Sequence, residues 1–275
     1  MIAPGRARRP GAFLGAIEDP TPDELESCPF CEGREDRTPP ETLALPNSPS
    51  REPNTPGWTA RVVPNLYPAL ERQEVVVHSP RHVRTFAELT HTELELVAEA
   101  WRRRMAAAAD EGFPYVHAMV NEGRFAGASL AHSHSQLVWF REQPPAVQRE
   151  RAGDGCPICE LLAAEPLHVA SHGDLAAIAH PAGRGPFELL VASRRHDPDP
   201  SDDLPALLWL LRDVIGRLRS LEGPAPWNAW LHLGPHWHVE VLPRVTVFAG
   251  LELGAELYVN VVAPESAAAA LREAG

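Results

Sequence analysis

What most constrains this chain is an ordered set of residues that occurs twice. Its four cysteines fall in two pairs of the same form, "CPFC" (Cys28, Cys31) and "CPIC" (Cys156, Cys159). With those pairs aligned, "EVVVHSPRH" (74–82) matches "ELLVASRRH" (188–196), each a short apolar strand that passes through arginine to a histidine, His82 or His196. A helix is expected after each. In "FAELTHTELELVAEAWRRRMAAAA" Leu94, Val97, Trp101, Met105 and Ala108 share one stripe, and Thr90 with Glu93 forms a capping-box start. "DDLPALLWLLRDVIGRLRSL" repeats the pattern with a proline in its first turn, where proline is tolerated. Strand-like runs follow, "FPYVHAMVNEG" and "APWNAWLHLGP", and each half closes on alternating histidines, "HSHSQLVWF" and "HWHVEVLPRV". The repeat predicts an α+β fold in two halves, 1–145 and 146–275, each an antiparallel sheet packed with one long helix, related by a pseudo-twofold axis. The Pro- and charge-rich stretches 34–57 and 141–155 read as loops, the second being the seam.

The duplicated order assigns chemistry before any fold is known. Two thiolates two residues apart and two imidazoles from distant segments make a soft, tetrahedral donor set suited to zinc. The first set is Cys28, Cys31, His82 and His132; the second is Cys156, Cys159, His196 and His236, with His238 competing for the last place. Four protein ligands leave no open position, so either metal would be structural. The competing reading of each cysteine pair is a redox dithiol. His132, His134 and Gln136 alternate, which puts them on one face of an extended strand. His78, His91, His117, His168, His172, His180 and His232 match no repeated position and read as surface or core residues.

Composition narrows the function classes. A net charge of −12 argues against an extended nucleic-acid surface while leaving room for a local basic pocket. No run approaches the roughly 18 apolar residues of a membrane span, and "MIAPGRARRP" lacks the apolar core of a signal peptide, so a cytoplasmic protein without membrane partners is expected. All 25 basic residues are arginine, which removes lysine as nucleophile, Schiff base or phosphate clamp.

"HSHSQ" resembles the His-x-His-x-Gln motif of the galactose-1-phosphate uridylyltransferase family, a branch of the histidine-triad superfamily. The resemblance covers nearly the whole chain. "APGRARRP", "CPFCEG", "VVPNLYPAL", "SPRHVRTFAELT", "VNEGRFAGASLAHSHSQ" and the block from "HWHVEVLPRV" onward resemble the family's motifs in order. It implies two histidine-triad-like halves, with His132 a zinc ligand and His134 the nucleophile that takes up the nucleotidyl group. It implies also that Arg6 and Arg9 meet phosphates, that Asn65, Asn121 and Ser129 line the nucleotide and α-phosphate region, and that the site lies between the subunits of a homodimer. Gln136 sets the reaction class: histidine-triad hydrolases carry a third histidine there, whereas an amide cannot exchange protons with water or a leaving group. The expected activity is ping-pong transfer from UDP-glucose to galactose 1-phosphate through a uridylyl-histidine. The alternative is phosphorolysis of another donor, ADP-glucose or adenylylsulfate, and a lesser one is a non-catalytic, zinc-stapled nucleotide binder. "GLELGAELYVN" places Tyr258 where better-known members have a glutamine on the hexose side and resembles instead a shorter branch that includes plant ADP-glucose phosphorylase, so sugar specificity does not carry over.

Overall fold

The computed structural model describes residues 1–5, 19–150 and 155–275. Ten strands form one antiparallel sheet: β1 (Leu43–Leu45), β2 (Ala60–Pro64), β3 (Arg72–Val77), β4 (Tyr115–Glu122), β5 (His134–Phe140), β6 (His168–His172), β7 (Leu175–Ala179), β8 (Leu189–Ser193), β9 (Trp227–His232) and β10 (His238–Pro243). Their spatial order is β1-β2-β3-β5-β4-β9-β10-β8-β7-β6. From either edge inward the same sequence of strands is met, 1-2-3-5-4 and 6-7-8-10-9. The repeat seen in the sequence is therefore a repeat of topology.

Each half forms the expected antiparallel sheet, and the structure joins the two edge to edge into one. β4 and β9 pair antiparallel at the centre, with Met119 opposite Trp230, Asn121 opposite Asn228 and Glu122 opposite Trp227. Each of these strands would otherwise end its half as an exposed edge with unpaired backbone groups, and pairing removes both edges at once.

The expected helices are present. α2 (His91–Asp110) starts at Thr90 with the capping box to Glu93, and α5 (Leu204–Glu222) carries Pro205 in its first turn. Short helices α1 (Pro22–Ser27), α3 (Pro145–Glu150), α4 (Pro157–Leu162), α6 (Gly250–Ala255) and α7 (Pro264–Glu273) complete the set among the described residues. α2 and α5 pack together on one face of the sheet, where Leu94, Val97 and Trp101 of α2 and Leu207, Leu211 and Val214 of α5 join Val120, Leu137 and Val239 in one buried core. The stripe expected from period 3.6 is the buried one, with Met105 only partly covered. The opposite face carries two smaller clusters, one around Phe30, Trp58, Val63, Val75 and Val77 and one around Ile158, Leu167, Ile178 and Leu190. Each cysteine pair lies beside one of them.

The stretch 34–57 contributes edge strand β1, and 141–155 contains α3, so neither is loop throughout. β5 begins at His134, so His132 stands just ahead of the strand rather than in it. No helix among the described residues is long and apolar enough to cross a membrane.

Candidate functional site

The order of residues around His82 explains why it ends where it does. At the end of β3 the chain turns through Ser79, whose hydroxyl donates to Glu93 at 2.6 Å, while Arg81 donates to both oxygens of Glu93 at 2.9 Å. Glu93 also closes the capping box with Thr90. The first turn of α2 and the turn bearing His82 are therefore one hydrogen-bonded unit. A glycine pair shapes the other approach: Gly123 and Gly127, at φ of 85° and 89°, bracket the turn Arg124–Ala126 that brings the chain from β4 back towards His132. Positive φ is strained for other residues, and glycine adopts it freely.

These turns bring Cys28, Cys31, His82 and His132 together, with all four candidate ligand atoms within 4.8 Å of one another. His132 Nδ1 lies 3.4 Å from Cys28 Sγ and 3.7 Å from Cys31 Sγ, and His82 Nδ1 lies 3.4 Å from Cys31 Sγ. Zinc–sulfur and zinc–nitrogen bonds at tetrahedral angles require an S···N edge of about 3.5 Å, so the donor set fits such an ion. The ring tautomers fit as well. His132 Nε2 donates to the Ser79 carbonyl at 2.9 Å and His82 Nε2 to Glu24 of α1 at 2.9 Å, leaving each Nδ1 lone pair facing the thiols. Burial pushes the His132 imidazole down to about 3, so it stays neutral. Burial and the neighbouring Cys28 push the Cys31 thiol up to about 12 when no cation is bound, so metal uptake would release protons.

The second half repeats the arrangement. Cys156 Sγ and Cys159 Sγ stand 3.3 and 3.4 Å from His236 Nδ1, and Cys159 Sγ 3.5 Å from His196 Nδ1. His236 Nε2 donates to the carbonyl of Ser193, the counterpart of Ser79, at 2.8 Å. His236, not His238, completes this group. His196 and Cys159 are exposed, whereas Cys28 and His132 are buried.

His134 is buried at 6% exposure, its ring edge-on to Phe30 at 5.4 Å. Its Nδ1 lies 2.7 Å from the carbonyl oxygen of His132. A carbonyl can only accept, so Nδ1 carries the proton and Nε2 the lone pair. Burial lowers its pKa despite that bond and favours the neutral ring. A neutral imidazole with a defined free nitrogen is a nucleophile that needs no base to activate it.

Gln136 is two residues further along β5, and its Oε1 accepts from Gln73 Nε2 and, at 3.5 Å, from Asn65 Nδ2. Asn121 Oδ1 accepts from Asn228 at 2.7 Å across the central strand pair, and Ser129 lies exposed on the loop leading to His132. Arg6 and Arg9 lie outside the described residues. Ile2 bridges to Asn260 in the C-terminal block, next to Tyr258, whose carbonyl accepts from the Met1 amino group at 3.0 Å.

One cluster escaped the sequence. His232, read as a surface or core residue, pairs across the sheet with His238, and their rings stack at 4.6 Å. Its Nδ1 lies 2.8 Å from Glu150 and its Nε2 3.3 Å from Glu240. Burial pulls this imidazole down, but the negative carboxylates of Glu150 and Glu240 beside it outweigh burial and hold the pKa at about 9. Glu150, His232 and His238 form a third group able to hold a metal ion. Glu240 occupies in "HWHVE" the place of Gln136 in "HSHSQ", and it pairs with Arg184. The second half therefore lacks the amide of the first. Glu150 sits on α3, in a stretch that reads as linker, and only folding brings it here.

The family model described as galactose-1-phosphate uridyl transferase, N-terminal domain, matches residues 68–145. An ADP-glucose phosphorylase of Arabidopsis thaliana is 28% identical over 99% of this chain and 89% of its own. A galactose-1-phosphate uridylyltransferase of Thermotoga maritima is 26% identical over 73% of each chain. The crystal structure of the Arabidopsis phosphorylase with bound ADP-glucose superposes with a TM-score of 0.82 at 25% identity, covering 99% of this chain and 94% of that one.

Proposed function

The chain is an enzyme of the galactose-1-phosphate uridylyltransferase family, and on that premise we propose that it transfers a nucleotidyl group through a covalent adduct on His134. The observation that carries this is the 2.7 Å bond from His134 Nδ1 to the His132 carbonyl, which leaves Nε2 as the free nitrogen. Nε2 attacks the α-phosphorus of a nucleoside diphosphate sugar, the bond from that phosphorus to the bridging oxygen breaks, and the sugar phosphate leaves. A second phosphorylated acceptor then attacks the same phosphorus, and the P–N bond breaks. Gln136 donates to the phosphoryl oxygens in both steps and activates no water, so the adduct persists until an acceptor arrives.

Zinc is the ion proposed for both Cys2His2 groups, where it would supply a fixed anchor for the segments that present His132 and His236. Arg6 and Arg9 are proposed to meet the phosphates, and Asn65, Asn121 and Ser129 to line the nucleotide and α-phosphate region. The full-length likeness to an ADP-glucose phosphorylase supports ADP-glucose as donor and inorganic phosphate as acceptor. The second reading, UDP-glucose with galactose 1-phosphate, is supported by the family model and the uridylyltransferase relatives. A homodimer is proposed with the site at its seam. Leu66 (65% exposed) and Tyr67 (86%) directly follow Asn65, and Phe125 (55%) precedes Ser129, an apolar rim suited to a partner surface.

The test is quenched mass spectrometry after incubation with ADP-glucose or UDP-glucose alone. An adenylyl or uridylyl adduct on His134, absent in His134→Ala, is expected. No adduct with any nucleotide sugar refutes the covalent route. The labelling donor decides the base, and release of the adduct by phosphate or by galactose 1-phosphate decides the acceptor.

A further inference from the structure

Resting on the reading of His134 and Gln136 above, we propose that Gln73 is a positioning residue that sets the polarity of the Gln136 amide, so that Gln136 meets a phosphoryl oxygen only as a donor. The argument starts from a backbone group. The amide N–H of Ala69 donates to Gln73 Oε1 at 2.7 Å, and a peptide N–H can do nothing but donate. Gln73 is thereby fixed with its oxygen towards the hairpin and its Nε2 towards Gln136. Asn65 is fixed in the same way, since its Oδ1 accepts from the N–H of Tyr67 at 2.9 Å, which turns its Nδ2 towards Gln136 as well. Two NH2 groups, each oriented by the backbone of the same hairpin, converge on one atom of Gln136. That atom must be its oxygen. The Gln136 Nε2 is then the remaining end of the amide, and it is bonded to none of the described residues.

Strand geometry makes the contact. Val75 faces Gln136 across β3 and β5, and Gln73 faces Val138, so Gln73 is the diagonal neighbour of Gln136 on the same face. Gln73 is 8% exposed, which shields the bond from competing water. An unconstrained glutamine would present either end of its amide to a phosphate, and the oxygen end would repel it. Gln73 removes that choice before the nucleotide arrives.

The experiment is a double-mutant cycle read as the single-turnover rate of His134 nucleotidylation, using whichever of ADP-glucose or UDP-glucose labels the wild type. Gln73→Glu keeps an acceptor for the Ala69 N–H and leaves the hairpin tied, but it turns a second acceptor towards Gln136 and draws the Gln136 NH2 away from the phosphate. Gln73→Met removes both functions at similar length, so a folding defect in one variant still leaves the comparison available. Either change is expected to slow labelling on the order of 10- to 100-fold with Gln136 present. In a Gln136→Met background, with no amide left to orient, the same change at Gln73 is expected to alter the rate by less than about twofold. A merely structural role would slow both backgrounds alike, and that result would overturn the inference. Absence of an adduct on the wild-type protein overturns the reading of His134 and this inference together, whereas equal losses in both backgrounds overturn only this one.

Discussion

Glu24→Ala is expected to loosen one metal group and leave the other untouched. Glu24 Oε1 stands 2.9 Å from His82 Nε2 and 3.1 Å from Arg84 Nε, with its side chain 26% exposed. Removing it takes away the acceptor that holds the ring in the tautomer with Nδ1 free, and it leaves the Arg84 cation beside a site that must take up another cation. Loss of such an outer partner costs roughly 10- to 100-fold in metal affinity, or about 1.4 to 2.7 kcal/mol. The second group provides the internal reference, because among the described residues no carboxylate is bonded to His196. The group with exposed Cys159 and His196 should therefore yield its ion to a chelator first, and the buried group second. A chromophoric chelator titration of the zinc-loaded wild type should show two steps, identified by repeating it with Cys156→Ser. In Glu24→Ala the second step should move towards the first while the first stays in place. An unchanged second step, or a shift of the Cys156-dependent step, would refute the assignment of Glu24 as the support for His82.

Three further outcomes are expected. Burial raises the Glu122 carboxyl from 4.5 to about 7, so its contribution is fully present below pH 4.5 and is lost as pH rises through 7. Denaturant melts should show wild type losing roughly 3 kcal/mol relative to Glu122→Gln between pH 4.5 and 8, and a difference independent of pH would show that the carboxyl titrates normally. Gln136→His should raise hydrolysis of the adduct without acceptor by at least about 10-fold, since an imidazole can relay a proton to water and an amide cannot; phosphate-free turnover assays measure it, and an unchanged adduct lifetime counts against the role given to Gln136. Trp101 donates to Ser135 Oγ at 2.9 Å inside the core under β5. Trp101→Phe leaves that hydroxyl buried and the space part-filled, a cost of about 2–4 kcal/mol by urea unfolding; a loss below about 1 kcal/mol would mean that the core closes over the gap.

The sequence alone determined the repeat, and with it the fold class and the members of both Cys2His2 groups; the proposed role of His134 came from the family resemblance. Local rules carry that information. Period 3.6 gave α2 and α5, the Thr90–Glu93 capping box gave the start of α2, and alternation gave the shared face of His134 and Gln136. The matched order of ligands brought together residues 104 positions apart in the chain, Cys28 and His132, because two copies of an arrangement identify its members without a structure. What only the tertiary structure decided depends on pairings between segments that have no sequence relation. The fusion of two half-sheets into one depends on β4 meeting β9, and nothing in either strand names its partner. The Glu150–His232–His238 cluster needs α3 folded back onto β9 and β10. The tautomer of His134 and the amide polarity of Gln136 are set by a carbonyl oxygen and by backbone N–H groups of a hairpin. Every residue carries those groups, so no side-chain pattern marks where they will act until the chain has folded around them.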